Sequence, residues 1–183
     1  MRKSSTVCHP RRFRNSPSSA MFMLDDSGEL KIRSFSPDDL EAVLKIQNAC
    51  KAIAVWRARD YERLAGDASG TILVAEFEQR MPPEVVGFLT SYRVDSEAEL
   101  WNIAVAPAHR RRGVARALLE EAFQRLSGAG ARRLYLEVRE SNLPALKLYQ
   151  AVDFARLARR KDYYQNPKED ALVLVRKLVR SEA

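Results

Sequence analysis

Leu100-Trp101-Asn102-Ile103-Ala104-Val105-Ala106-Pro107, running on into Ala108-His109-Arg110-Arg111-Arg112-Gly113-Val114-Ala115, is the stretch that decides how this chain folds. The apolar run predicts a strand over Glu99–Val105. After the arginines, Ala115, Leu118, Leu119, Ala122 and Leu126 recur at helical spacing, which predicts a helix over Gly113–Leu126 closed by Gly128 and Gly130. The first N–H groups of a helix have no partner within it, and its dipole is positive at that end. With Gly113 omitting a side chain and three arginines adding charge, the junction suits an anion such as a pyrophosphate. A charged helix start facing solvent is the alternative reading of Arg-x-x-Gly-x-Ala; its position between strand and helix favours the anion site.

Downstream, Arg133–Val138 predicts a second strand, so Glu99–Val138 is a strand-helix-strand crossover whose strands run parallel. A helix over Leu143–Ala151 and strands near Ala155–Arg159 and Ala171–Leu178 complete that side. Upstream, Leu30, Ile32 and Phe35 mark a strand. Ser36-Pro37-Asp38-Asp39 then starts a helix bearing Leu40, Val43, Leu44 and Gln47 on one face. A short helix around Arg57–Ala65 ends at Gly66. Strands over Thr71–Glu78 and Val85–Arg93 are parted by a Met81-Pro82-Pro83 turn. Short connections make these early strands antiparallel. The expected fold is α/β: a mixed, mostly antiparallel central sheet, one parallel pair, and flanking helices.

The chain has 183 residues, a 46% hydrophobic fraction and a net charge of +7. Arg2, Lys3, Arg11, Arg12 and Arg14 fall in an N-terminal stretch without acids, and the other 26 bases face 24 acids. Residues 1–27 are therefore expected to be a basic, disordered extension, and 28–183 one folded domain. Nucleic acid could be contacted only through that tail. No run approaches the roughly 20 apolar residues of a membrane span, and no apolar stretch follows the basic start as in a secretory signal. Cys8 and Cys50 make no disulfide framework. A cytoplasmic protein is the expectation. No His/Cys cluster has metal-ligand spacing, and His109 is expected at the surface.

Leu100–Pro107 followed by Arg110–Ala115 resembles motif A of the GNAT acetyltransferases, Gln/Arg-x-x-Gly-x-Gly/Ala. Leu136-Glu137-Val138-Arg139-Glu140-Ser141-Asn142 with Leu148-Tyr149 resembles the RimI type, the ribosomal-protein-alanine N-acetyltransferases. Arg160-Lys161-Asp162-Tyr163-Tyr164 and Glu169-Asp170-Ala171 are similar to that group's Arg-Arg-Asn-Tyr-Tyr and Glu-Asp-Ala. The resemblance implies acetyl-CoA as cosubstrate, no metal, and pyrophosphate binding by Arg110, Arg111, Arg112, Gly113, Val114, Ala115 and Arg116. It also implies backbone pairing of the pantetheine arm with Ile103, Ala104 and Val105. Core packing is the other role of Ile103 and Val105, and the two are compatible.

The resemblance makes Glu137 the general base and Tyr149 the general acid. An N-terminal amine, with a reference pKa near 8, must lose a proton to attack a thioester, and the leaving thiolate must gain one. On the residues alone, Glu137 could instead be a strand-end carboxylate paired with Arg139, and Tyr149 a packing aromatic. Asn142 is either a helix N-cap or a CoA ligand. Tyr163 and Tyr164 are implied to shape a peptide-binding mouth; the alternative is that they are edge-strand aromatics. Asp162 replaces the family's Asn, and Val152-Asp153-Phe154 replaces its Leu-Gly-Phe, putting Asp where a left-handed Gly stops the helix. Neither cysteine is expected in a covalent role. The implied substrate is the N-terminal alanine of a small-subunit ribosomal protein. A lysine or small amine is the alternative, as is a non-catalytic acyl-CoA-binding regulatory module.

Overall fold

The computed structural model describes residues 29–50, 53–77 and 83–178; the 1–27 extension, and Met81 and Pro82 of the expected turn, lie outside them. In chain order the elements are β1 (Leu30–Ser34), α1 (Leu40–Asn48), α2 (Ala58–Ala65), β2 (Gly70–Phe77), β3 (Glu84–Val94) and β4 (Glu97–Val105). Then come α3 (Val114–Gly128), β5 (Arg133–Arg139), α4 (Leu143–Ala151), β6 (Ala155–Gln165) and β7 (Lys168–Lys177). The strands form one sheet in the order β1-β2-β3-β4-β5-β7-β6. Only β4 and β5 run parallel, as the crossover demanded; all other neighbours are antiparallel.

Alternation places the core. Leu134, Leu136 and Val138 of β5 are buried in a cluster with Leu118, Leu119, Ala122 and Leu126 of α3, the residues whose spacing predicted that helix. A second cluster packs α1 and α2 on the opposite face of β2–β4, with Val43, Tyr61 and Leu64 against Val74 and Phe88. Each fully buried leucine contributes roughly 1.5–3 kcal/mol. On that second face β5 presents Tyr135, Glu137 and Arg139, which stay partly exposed. The helix start at Ser36 opens with a 3-10 turn, Pro37–Asp39, in which Asp39 accepts a hydrogen bond from the Ser36 N–H at 2.7 Å. Burial pushes the Asp39 carboxyl up, but hydrogen bonds from Arg33 and Ser36 outweigh it and hold the carboxyl below its ordinary value.

Two expectations need correction. β6 and β7 are longer than Ala155–Arg159 and Ala171–Leu178, forming a hairpin that turns at Asn166-Pro167. Its inner half escaped notice because β6 is an edge strand. Arg159, Arg160 and Lys161 replace the alternation there, a charge pattern that protects an edge. A register shift between Arg160 and Tyr164, with Asp162 at φ +54°, interrupts the pairing further. His109 is buried, its ring 5.6 Å from that of Phe77 and its Nε2 3.5 Å from the Glu84 carboxylate. A helix-boundary position beside charged residues hid that burial.

Asp153 adopts the left-handed conformation expected of the missing glycine, at φ +61°. The Val152 and Phe154 N–H groups both donate to the Tyr149 carbonyl, at 3.2 and 3.0 Å, closing α4. Asp153→Gly should therefore stabilise the protein by about 0.5–1 kcal/mol, relief of left-handed strain exceeding the added chain entropy; urea unfolding checks this. Burial also pushes the Tyr61 and Tyr149 phenols well above the ordinary tyrosine value. Because the folded values are raised, their stabilisation is complete below the unfolded pKa of about 10 and is lost as pH rises through the folded values. The urea midpoint should fall above pH ~10, and less steeply in Tyr61→Phe.

Candidate active site

β4 and β5 pair only from Glu97↔Arg133 to Leu100↔Leu136, although β4 continues to Val105 and β5 to Arg139. Past that point the strands part. The Ala106 N–H donates to the Val86 carbonyl at 2.8 Å, which sets bonded rungs to β3 at Ala106, Ala104 and Asn102. In an antiparallel ladder the intervening residues face the other way, so the backbone groups of Ile103 and Val105 point into the gap. The gap is a cleft whose walls include Ile103 and Val105 on β4, Glu137 and Val138 on β5, and Ala145 and Tyr149 on α4.

One end of the cleft reaches the start of α3, where Ala115 lines it. The first bond of the helix ladder is Ala117 N–H to the Gly113 carbonyl at 2.9 Å, so the N–H groups of Val114, Ala115 and Arg116 precede the ladder. No acid stands in the first turn. Gly113 has φ +78°, and a Cβ there would meet nothing within 4 Å, so backbone conformation rather than space requires the glycine. Gly87 is a residue the sequence did not flag. A Cβ there would lie 3.0 Å from the Ala104 carbonyl oxygen and 3.1 Å from Val114, so its absence lets α3 seat against β3 and β4.

The arginines divide. Arg111, at φ +60°, is exposed, and Arg116 pairs with Glu120 at 2.8 Å along the helix. Arg110 faces inward: its Nε donates to the Val105 carbonyl at 3.2 Å and its Nη2 lies 3.2 Å from Cys50 Sγ. Arg110 thus braces the end of β4. Cys50, read from the sequence as lying beside the apolar face of the first helix, is buried in the cleft wall next to Arg110.

Glu137 projects from β5 with its side chain 18% exposed, and its Oε1 lies 2.7 Å from Arg160 Nη1. The Tyr163 phenol is pushed up, first by its hydrogen bond to Glu137 and then by burial. The ion-pair partner of Glu137 is therefore Arg160, with Tyr163 as a second partner, and not Arg139. Arg139 pairs with Glu169 at 3.1 Å, donates to the carbonyls of Asn166 and Pro167, and lies 4.0 Å over the Tyr164 ring. It ties β5 to the hairpin turn.

Tyr149 is 6% exposed, and its ring meets Phe154 edge-on at 5.5 Å. Burial, then the nearby Tyr164, disfavours its ionisation, so the phenol stays a proton donor. Asn142 caps α4, its Oδ1 accepting from the Ala145 N–H at 3.3 Å, and it also borders the cleft. Tyr164 borders the cleft and meets the exposed Tyr163 edge-on at 5.2 Å. Asp162 sits away from it: its N–H donates to Asp170 at 2.8 Å and its carboxylate pairs with Lys168.

Two buried amides carry bonds that the sequence did not foretell, Gln47 on the helix face already read from the spacing and Asn102 on β4. Asn102 accepts from the Ala54 N–H at 3.1 Å. Gln47 donates to the Trp56 carbonyl and accepts from the Trp56 N–H and the Tyr61 hydroxyl, at 3.0, 2.9 and 2.7 Å. Together they hold the α1–α2 loop, whose Ile53 borders the cleft. Among the described residues, no group of three His, Cys, Asp or Glu could hold a metal ion.

Comparison with known proteins agrees with this geometry. A family model described as the acetyltransferase (GNAT) family matches residues 40–154. The ribosomal protein bS18-alanine N-acetyltransferase of Escherichia coli K12 is 32% identical over 145 residues, covering 78% of this chain and 94% of that protein. The crystal structure of the ribosomal-protein-S18-alanine N-acetyltransferase from Escherichia coli superposes with TM-score 0.72 at 28% identity, covering 84% of this chain and 98% of that one. Arabidopsis thaliana NAA60, crystallised with acetyl-CoA, shares the fold at TM-score 0.72 and 23% identity, over 81% of this chain and 98% of that one. An unladdered helix start beside a parted strand pair, the match over residues 40–154 and the identity to the bacterial enzyme together show that this chain belongs to the GNAT family of acetyltransferases, which use acetyl-CoA.

Proposed function

We propose that this enzyme acetylates the N-terminal amine of a protein, an alanine at the start of a small-subunit ribosomal protein, by direct attack within a ternary complex. The observation that carries the reading is the convergence of Glu137, Tyr149 and the Ile103–Val105 backbone on one cleft that runs to the start of α3. The name of the Escherichia coli relative supplies the substrate. Residues 28–183 are the catalytic domain in this reading, and the working compartment is the cytoplasm. No helix among the described residues is long and apolar enough to cross a membrane. Nucleic-acid contact, if any, falls to the basic tail.

The N–H groups opening α3, with Arg111 and Arg112 beside them, hold the pyrophosphate of acetyl-CoA. Arg110 acts indirectly, fixing the end of β4. The backbone groups of Ile103 and Val105 pair with the pantetheine arm, flanked by Ala104, and Asn142 closes that wall while capping α4. Glu137 takes a proton from the substrate ammonium, directly or through one water. The freed amine attacks the thioester carbonyl, and a backbone N–H near Val105 holds the developing oxyanion. Tyr149 donates to the departing sulfur and regains the second proton that the nitrogen sheds as the amide forms. Tyr163 and Tyr164 border the path of the peptide.

The decisive assay is CoA release with two peptides, one with a free N-terminal alanine and one blocked but carrying an internal lysine. Turnover of the first alone is expected. Turnover of the second alone would replace this substrate by a lysine. Acetyl-CoA binding with neither turned over would favour the regulatory module or another amine. Glu137→Gln should cut kcat about a hundredfold or more, and Tyr149→Phe about tenfold or more, with acetyl-CoA affinity nearly unchanged in both. Undiminished kcat in both variants would remove these assignments.

A further inference from the structure

Arg160 belongs to no step above, yet it makes the closest ion pair of the proposed base, 2.7 Å from Glu137 Oε1. We propose that Arg160 is a resident counter-cation for Glu137, displaced by the substrate's own ammonium group. The proposal rests on the reading of Glu137 as the base.

The placement supports an exchangeable partner. Glu137 borders the acetyl-CoA cleft and also a shallow groove on the open face of the sheet, whose other walls include Tyr92, Glu99, Tyr135 and Leu157. Arg160 borders the groove and is not among the residues lining the cleft, and its guanidinium reaches Glu137 at 2.7 Å. A half-buried carboxylate is costly without a cation, and Arg160 supplies one before substrate arrives.

Arg160 is built to leave. Its side chain is 55% exposed, it stands on the edge strand β6 where the register shifts, and the Tyr163 ring that it already meets, 5.4 Å from its Cζ, can keep hold of it when the ion pair opens. Arg139, tied to Glu169, two carbonyls and the Tyr164 ring, has no such freedom. An arriving ammonium takes over the carboxylate. One proton passes to Glu137, the freed amine adds to the thioester carbonyl, and as the C–S bond breaks Tyr149 protonates the sulfur and regains the second proton that the nitrogen sheds on becoming the amide. The product amide is neutral and cannot hold Glu137. The protonated Glu137 returns its proton to solvent as Arg160 re-pairs, so the same exchange that selects a cationic amine helps expel the acetylated product.

Arg160→Gln tests this in the full-length enzyme, with whichever of the two peptides the wild type turns over. KM for the peptide should fall about two- to fivefold, the strength of an accessible ion pair, with kcat within twofold of wild type. Equilibrium binding of the peptide to the enzyme–CoA complex should tighten likewise, and most of that gain should vanish in a Glu137→Gln background. Arg160→Lys, which keeps the charge, should retain the wild-type KM, and thermal melts verify folding of each variant. A KM unchanged or raised by Arg160→Gln, or an equal gain without the Glu137 carboxylate, overturns the proposal alone. A wild type inactive on both peptides removes the functional reading and this one with it.

Discussion

The parting of β4 from β5 is the constraint on which the rest of the molecule depends. Four residue pairs hold the two strands parallel, and beyond Leu100 and Leu136 the ladder stops while both strands continue. Backbone polar groups without partners are costly when buried, so the splay is tenable only where solvent or a ligand reaches them. The fold provides that access. α3 starts at the end of β4, α4 starts at the end of β5, and the cleft runs between them. Gly87 allows α3 to sit close against β4, and Asn102 fastens the α1–α2 loop to the same strand. One wedge thus brings together helix N–H groups, an open strand edge, a carboxylate and a phenol.

The side chains around the wedge divide the work by burial. Tyr149 lies deep, where burial keeps its phenol protonated and fit to donate rather than accept. Glu137 lies at the boundary between cleft and groove, accessible enough to exchange partners. The alternation of β5 explains the division. Leu136 and Val138 turn into the core while Glu137 and Arg139 turn to the face that α1 and α2 leave uncovered beyond β4. Two adjacent same-face charges then meet different fates, because the β6–β7 hairpin offers Arg139 an anchored acid and Glu137 an exposed arginine.

Much of this was legible in the residues themselves. Helical spacing located α3 and α4, β-forming runs located β1–β5, and the crossover required the parallel pair. Asp153 in the left-handed region followed from the resemblance, since it stands where the family has a helix-stopping glycine. These are local properties, decided by residues a few positions apart. Membership of the family was legible for a similar reason: each motif that carries it is a contiguous run, from Leu100–Ala115 to Leu136–Asn142.

What only the tertiary structure decided are the pairings between distant parts of the chain. The long β6–β7 hairpin carries its charges on an exposed edge, where no alternation betrays a strand. Arg160 became the partner of Glu137, and Arg110 turned towards Cys50 and the Val105 carbonyl, because strand register and loop path placed them there. The same holds for His109, buried against Phe77. The sequence by itself determined which segments form helices and strands and where a glycine opens α3, since those depend on nearby residues. The tertiary structure alone decided which charge meets which, since an ion pair depends on positions in space that distant segments reach only on folding.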